Sequence, residues 1–215
     1  MNAEVASVEE RKQNLKGMGS SRRRVEDARF VQGKGNYVDD IKVPGMLFGD
    51  FVRSPYAHAR IKAVHKEAAL AVPGVKAVLT ADDLKPVNLA WMPTLAGDVQ
   101  MVLADGKVLF QGQEVAFVVA DDRYAASDAA ELVDVEYEEL PVLVDPFKAM
   151  DPDAPVLRED LEGKTEGAHG PRRHHNHIFT WEVGDKDATE KALADSEVVA
   201  KELITYQRVH PCPIE

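Results

Sequence analysis

The sequence is poor in cysteine, and its one thiol, Cys212, lies close to the last residue. A single cysteine excludes an intrachain disulfide and a cysteine-rich metal or iron–sulfur site built from this chain alone. Cys212 lies between two prolines near His210, the kind of base that a nucleophilic thiol needs, but we expect it to be a buried structural thiol. The low cysteine content fits a reducing compartment.

Long apolar segments are also lacking. Residues 1–19 have no apolar core, and nowhere is there a run of about 18 apolar residues, the length that a membrane-spanning helix requires. The sequence therefore predicts neither a secretory signal nor a transmembrane segment. We expect a cytoplasmic protein.

Positive charge is scarce, because 26 Lys and Arg face 37 Asp and Glu, for a net charge of −11. This balance disfavours general binding to a nucleic-acid backbone, which requires positive charge. Basic residues do cluster in an amino-terminal arm, residues 1–29, which includes Arg22, Arg23 and Arg24. The arm is either solvated or docks on an acidic partner subunit.

The 215 residues suit one complete domain plus a piece of a second. In residues 30–150, strand and helix patterns alternate, which predicts an α/β or α+β domain with a sheet covered by helices. The strands are expected at Leu47–Arg53, Arg60–Val64, Val75–Leu79, Val115–Ala120, Val135 with Tyr137, and Val142–Val144. Three helices are expected: one at Lys66–Ala71, a second that begins after Thr80 as its N-cap with Asp83 in the capping-box position, and a third at Arg123–Val133 with Asp122 as its N-cap. Residues 86–101 are expected to form a long loop.

Residues 151–170 are rich in proline, glycine and charge, and we interpret them as a linker. The pattern restarts in residues 171–215 with a strand at Ile178–Val183, a helix at Ala188–Ala194 and a strand at Val198–Val209. One such unit without further partners is a weak domain. We therefore expect residues 171–215 to begin a second domain that continues elsewhere.

The densest group of metal-ligand residue types is His174-His175-Asn176-His177. On a strand, His175 and His177 would share a face and could grip a metal, but a complete site needs further ligands, and none is evident nearby. We expect a structural role, with a metal site as the alternative. The other histidines are expected to be packed or on the surface: His58, His65, His169 and His210.

Two further patterns resemble functional sites. Gly33–Tyr37 carries two glycines but lacks the third glycine of a dinucleotide fingerprint and the Gly-Lys-Ser/Thr of a phosphate loop, so we interpret it as a structural turn. Five carboxylates are concentrated near the end of the Arg123–Val133 helix and on the following strand, where a solvated face is expected rather than an acid–base pair: Glu131, Asp134, Glu136, Glu138 and Glu139.

Several segments together resemble the amino-terminal, α/β hammerhead domain of the molybdenum subunits of the xanthine oxidase family: Arg24–Asp27, Gly33–Asp40, Val52–Ile61, Pro73–Val75, Gln113–Ala120 and Tyr137–Pro141. Other segments are similar to one branch of that family, the aerobic carbon monoxide dehydrogenases: Val43–Phe51, Met92–Gln100, Gly167–Gly170 and His174–Phe179. His210 and Glu215 resemble a segment that opens the molybdenum domain of these subunits, where they are expected to be structural. The resemblance covers nearly the whole chain.

The resemblance implies that the full subunit binds molybdopterin cytosine dinucleotide and, in this branch, a molybdenum–copper centre that oxidises CO with water to CO₂. It implies a medium FAD subunit and a small subunit with 2Fe–2S clusters as partners, in a dimer of heterotrimers in the cytoplasm or at the inner face of its membrane. The catalytic and cofactor positions of the family fall outside residues 1–215. No catalytic, cofactor-binding or metal-binding residue is therefore assigned here, and no cofactor is expected on residues 1–215 alone. The alternatives are a molybdenum hydroxylase for an aldehyde or a purine, or a non-catalytic interaction module.

Overall fold

The computed structural model describes residues 24–89, 91–93, 99–161, 166–167, 170–171 and 173–206. The chain divides into two compact units: Gly45–Glu202, and Met1–Pro44 with Leu203–Glu215. Within the described residues the strands are β1 (Phe48–Arg53), β2 (Ala59–His65), β3 (Val75–Thr80), β4 (Trp91–Pro93), β5 (Val99–Met101), β6 (Lys107–Val108), β7 (Glu114–Ala120), β8 (Asp134–Glu139), β9 (Glu166–Gly167) and β10 (Gly170–Pro171). The α-helices are α1 (Asp27–Phe30), α2 (Glu67–Leu70), α3 (Ala81–Leu84), α4 (Arg123–Glu131) and α5 (Lys186–Ala194).

Short 3₁₀ helices complete the described secondary structure. They lie at Val38–Asp40, Lys85–Val87, Lys148–Met150 and Glu159–Leu161.

The first sheet has the order β1-β7-β3, with β7 antiparallel to both neighbours. The apolar run predicted at Val115–Ala120 is this central strand, which explains why both of its faces are apolar. On one face, Ala116 and Val118 pack with Val78, Ala129 and Val133 in a core beneath the helices.

Helix α4 covers that face of the sheet. The Asp122 carboxylate caps it by accepting hydrogen bonds from the backbone N–H groups of Tyr124 and Ala125, at 2.9 and 3.0 Å. Its buried face is built from alanines, which let the helix axis approach the strands closely. The predicted helix is confirmed, and it ends at Glu131 rather than Val133.

The second sheet has the order β6-β2-β8, again antiparallel throughout. Val115 of β7 packs with Ala59 and Val108 of this sheet and with Ala104, so one core joins the two sheets. Because every strand pairing among the described residues is antiparallel, the α+β alternative of the prediction is the correct one.

Four of the sequence expectations for secondary structure were wrong over the described residues. The stretch expected to be a long loop contains the antiparallel pair β4 and β5. No strand forms at Val142–Val144, at Ile178–Val183, or over residues 198–206 of the segment Val198–Val209, whose last three residues lie outside the described part. An apolar pattern predicts extended backbone, but a strand also needs a partner edge to bond with. The predicted helix Ala188–Ala194 is confirmed as α5, which begins two residues earlier.

Residues 24–44 contain α1 and the turn at Gly33. Gly33 has a φ of +68°, a conformation that favours glycine, and the rings of Phe30 and Tyr37 stack across the turn with centroids 5.4 Å apart. Gly35 lies against both rings, where a Cβ would crowd Phe30. The interpretation of Gly33–Tyr37 as a structural turn therefore has a physical basis.

Candidate functional site

The histidine run 174–177 forms a turn rather than a strand. The backbone N–H of Asn176 donates to Nδ1 of His174 at 3.3 Å, and the N–H of Arg173 donates to Nδ1 of His177 at 3.0 Å. A neutral imidazole that accepts at Nδ1 carries its proton on Nε2, so neither Nε2 has a lone pair for a metal. The Nε2 of His177 accordingly lies 3.0 Å from Oγ1 of Thr180, to which it donates.

His175 is exposed and packs edge-on against the ring of His174, at 4.9 Å between centroids. Within the part of the chain that the structure describes, no group of three or more His, Cys, Asp or Glu side chains is arranged to hold a metal ion. The geometry thus gives the run a local structural role. His169, His210, Cys212 and Glu215 lie outside the described residues.

Within this run, Asn176 is the residue whose side chain forms hydrogen bonds with a distant segment of the chain. Its Oδ1 accepts a hydrogen bond from the N–H of Leu157 at 2.9 Å, and its Nδ2 donates to the carbonyls of Ala149 and Pro155 at 3.2 and 2.9 Å. One amide side chain therefore fastens residues 149–157 to the histidine turn. This role has only a weak signal in the sequence, because the neighbouring histidines dominate the pattern.

The acidic stretch lies on the exposed face of β8 and at the end of α4, as the sequence predicted. Glu136 binds His65 on β2 with 2.8 Å between Oε1 and Nε2, and Glu138 binds Lys62 with 2.6 Å between Oε2 and Nζ. The hydrogen bond that His65 donates to Glu136 raises the pKa of His65, and the hydrogen bond that Lys62 donates to Glu138 lowers the pKa of Glu138. These two carboxylates each have a basic partner across the sheet and do not face one another as an acid–base pair.

A polar group lies inside the fold where β1 leads into β2. His58 is only 4% exposed, and its Nδ1 donates to the carbonyl of Pro141 at 2.7 Å, while its Nε2 has no hydrogen-bond partner in the described structure. Ser54, also buried, exchanges two hydrogen bonds of 3.0 Å with the backbone of Tyr56. Burial raises the pKa of Tyr137, against the smaller opposing effect of its hydrogen bond with Ser54.

From the sequence, His58 was expected to be packed or on the surface, and it is packed, but this group was not predicted. The available signal was Ser54-Pro55-Tyr56-Ala57-His58, a polar and aromatic run in a short connection between two strands. The structure buries Ser54 and His58 and leaves Pro55 exposed, so the hydrogen bonds of these two buried side chains hold the β1–β2 connection in place. Among the residues described, none of the helices has the length and apolar content needed to span a bilayer.

The family model for the α/β hammerhead domain of aldehyde oxidase and xanthine dehydrogenase matches residues 32–141, about half of the chain. The chain belongs to this family. The hammerhead fold expected from the sequence is thereby confirmed, and the matched range contains β1 to β8 with their covering helices.

Within the hammerhead family, the chain is 70% identical over 206 residues to the carbon monoxide dehydrogenase large chain of Afipia carboxidovorans, covering 96% of this chain and 26% of that protein. It is 66% identical to the large chain of the same name from Hydrogenophaga pseudoflava, covering 100% of this chain and 27% of that protein. A solved structure described as Cu,Mo-CO dehydrogenase in its carbon monoxide reduced state superposes with a TM-score of 0.75 at 70% identity, over 93% of this chain and 25% of that one. The chain thus spans about a quarter of the length of the curated relatives it matches and resembles their amino-terminal part.

Proposed function

We propose that the chain is the amino-terminal part of the large, molybdenum-carrying subunit of an aerobic carbon monoxide dehydrogenase. The reaction of that enzyme is the oxidation of CO by water to CO₂, with release of two protons and two electrons. The observation that carries the proposal is the identity of 70% and 66% to two such large chains over nearly all of this sequence. The role assigned to residues 1–215 is that of a folded scaffold domain.

We further propose that residues 1–215 hold no molybdenum cofactor of their own. No three-ligand group is present among them, and the turn at Gly33 is followed by a 3₁₀ helix of only three residues. The N-termini of α4 and α5 are occupied by the carboxylates of Asp122 and Asp185, which would repel a pyrophosphate. We therefore assign no catalytic step to these residues and place molybdopterin cytosine dinucleotide, molybdenum and copper on other parts of the subunit.

The proposed partners are a medium FAD subunit and a small subunit with 2Fe–2S clusters, which carry the two electrons away, in a dimer of heterotrimers in the cytoplasm.

Residues 171–215 are proposed to begin the molybdopterin-binding domain. In support, α5 has no buried residue, and the described segment before it exposes Trp181 by 65% and Val183 by 82%. Apolar side chains this exposed are expected where further structure of the same subunit covers them.

A second candidate is a molybdenum hydroxylase for an aldehyde or a purine, because the hammerhead family includes aldehyde oxidase and xanthine dehydrogenase. The test uses the complex captured from its native source through this chain. Dye reduction is measured with CO, acetaldehyde or xanthine as the only electron donor. We expect CO to be the donor that gives rapid reduction; reduction by acetaldehyde or xanthine without CO activity would establish the second candidate instead.

If none of the three donors reduces the dye and the captured polypeptide has a mass of 23.7 kDa, the chain acts as a non-catalytic interaction module. A preparation captured with an unrelated antibody is the control, since it reports dye reduction by contaminating enzymes.

A further inference from the structure

An open cavity of about 510 Å³ lies beside the second sheet, where the 3₁₀ helix Glu159–Leu161 meets the ends of β2 and β6. This volume is within the range of small-molecule sites. The apolar side chains of Met101, Leu109, Phe110 and Leu157 form part of its wall. The cationic side chains of Arg60 on β2 and Lys107 on β6 also line it.

Lys107 is the group that makes this cavity unusual. Its side chain is only 13% exposed, and its Nζ is buried without a hydrogen-bond partner in the described part of the chain. The Nζ lies 3.3 Å from Oε1 of Glu159, which is its ion-pair partner. A buried ammonium has three donors, and the single contact with Glu159 leaves at least two of them for acceptor oxygens of a ligand.

A carboxylate already stands at this position. Oε1 of Glu159 lies 3.1 Å from Nη2 of Arg60 as well as 3.3 Å from Nζ of Lys107, so it bridges the two cations. The Lys107 ammonium, and next the charge of Arg60, hold the pKa of Glu159 below its ordinary value. Glu159 therefore marks where an anion binds and remains charged there.

The other charges around the cavity have partners of their own. Asp105 binds Lys85, with Oδ2 and Nζ 3.0 Å apart, and Asp160 binds Arg158 through two contacts of 2.7 Å. The charge of these two carboxylates is thus offset locally, and the unfilled donors belong to Lys107.

We propose that this cavity is a binding site for a small organic anion with a carboxylate or phosphate head and an apolar body. The head replaces the carboxylate of Glu159 between Arg60 and Lys107, and the body lies along Leu109, Phe110 and Leu157. Glu159 acts as a tethered internal competitor that lowers the affinity of the site for other anions. This site is independent of CO oxidation, and nothing in it requires the molybdenum cofactor.

The test uses hexanoate as the probe and acetate as the charge-only comparison, by equilibrium dialysis at constant ionic strength with the complex purified from its native source. Glu159→Gln removes the competitor but keeps the shape, so hexanoate should bind about tenfold more tightly than to the wild type, a change of roughly 1.4 kcal/mol. Glu136→Gln, which removes an exposed carboxylate on β8, is the matched control and should change nothing. Adding Lys107→Met to Glu159→Gln should abolish the gain.

The proposal is overturned if Glu159→Gln binds hexanoate no better than Glu136→Gln does. It is equally overturned if acetate binds as tightly as hexanoate, because an adventitious ion only would then explain the result.

A second readout covers the case in which a variant does not fold. In the wild-type complex, hexanoate at a concentration high enough to displace Glu159 should slow acetylation of Lys107 at least about twofold and leave Lys76 on β3 unchanged, since bound acceptor oxygens occupy the ammonium. Equal rates for Lys107 with and without this concentration of hexanoate would contradict the site.

Discussion

Single polar side chains inside this molecule do more to join its segments than its sequence suggests. Asn176 satisfies one N–H and two carbonyl groups of residues 149–157, and His58 satisfies the carbonyl of Pro141. The sequence pattern drew attention to the histidines beside Asn176, because imidazoles are common ligands and asparagines are common in turns. Only the folded backbone shows that the amide has three partners.

Replacing Asn176 by alanine should lower the free energy of unfolding by about 1–3 kcal/mol, because the N–H of Leu157 and the carbonyls of Ala149 and Pro155 lose their partner. The measurement is urea denaturation followed by fluorescence. Asn36→Ala, at an exposed position, is the control and should stay within about 0.5 kcal/mol of the wild type. Equal effects of the two substitutions would show that the amide network contributes nothing.

The His65–Glu136 pair predicts a pH-dependent interaction on the sheet surface. The pKa of His65 is raised above 6.5 mainly by its hydrogen bond with Glu136. A histidine with a raised pKa stabilises the fold fully below its unfolded pKa, and this contribution is lost as the pH rises through the folded pKa. The pair should therefore strengthen the β2–β8 pairing in mildly acidic solution and not in alkaline solution.

NMR titration of the His65 ring measures this shift directly. Glu136→Gln should bring the pKa of His65 down toward its ordinary value, whereas Glu138→Gln, which removes the partner of Lys62, should leave it in place. A His65 titration that is the same in Glu136→Gln and in the wild type would refute the assignment.

At the scale of secondary structure, the sequence predicted elements well where local pattern and tertiary context agree. The continuous apolar run of β7 required burial on both faces, and Asp122 before an alanine-rich face predicted both the start and the packing side of α4. The β4–β5 pair was missed because prolines and a lack of alternation conceal short strands. The strand predicted at Ile178–Val183 does not form for the opposite reason. Its apolar pattern suits a strand, but no edge strand within the described residues pairs with it.

The N-cap of α4 provides a test at this scale. Asp122→Ala removes the acceptor for two backbone N–H groups and should lower the free energy of unfolding by about 1 kcal/mol. Asp128→Ala removes an exposed carboxylate from the same helix and raises its helix propensity, so it should not destabilise. Chemical denaturation of both variants, followed by far-ultraviolet circular dichroism, compares them; a loss in Asp128→Ala equal to that in Asp122→Ala would contradict the capping role.

At the scale of the whole molecule, the fold and the absence of a metal-binding group among the described residues have one explanation. The chain forms a hammerhead domain, and its described residues use their histidines and carboxylates for local structure rather than for metal binding. Composition and periodicity alone would have stopped at a mixed helix–sheet domain. The link to carbon monoxide dehydrogenase came from the resemblance of particular segments, because composition and periodicity report how residues pack and not which reaction a subunit carries out.

The most direct test of the central proposal is the metal content of the complex that contains this chain. The complex is captured from its native source through an antibody to the hammerhead domain, and molybdenum and copper are measured by mass spectrometry alongside the CO-dependent activity of each fraction. We predict equimolar molybdenum and copper, both eluting with the CO activity and with the polypeptide that carries this sequence. Molybdenum without copper or CO activity, or neither metal on that polypeptide, would contradict the proposal.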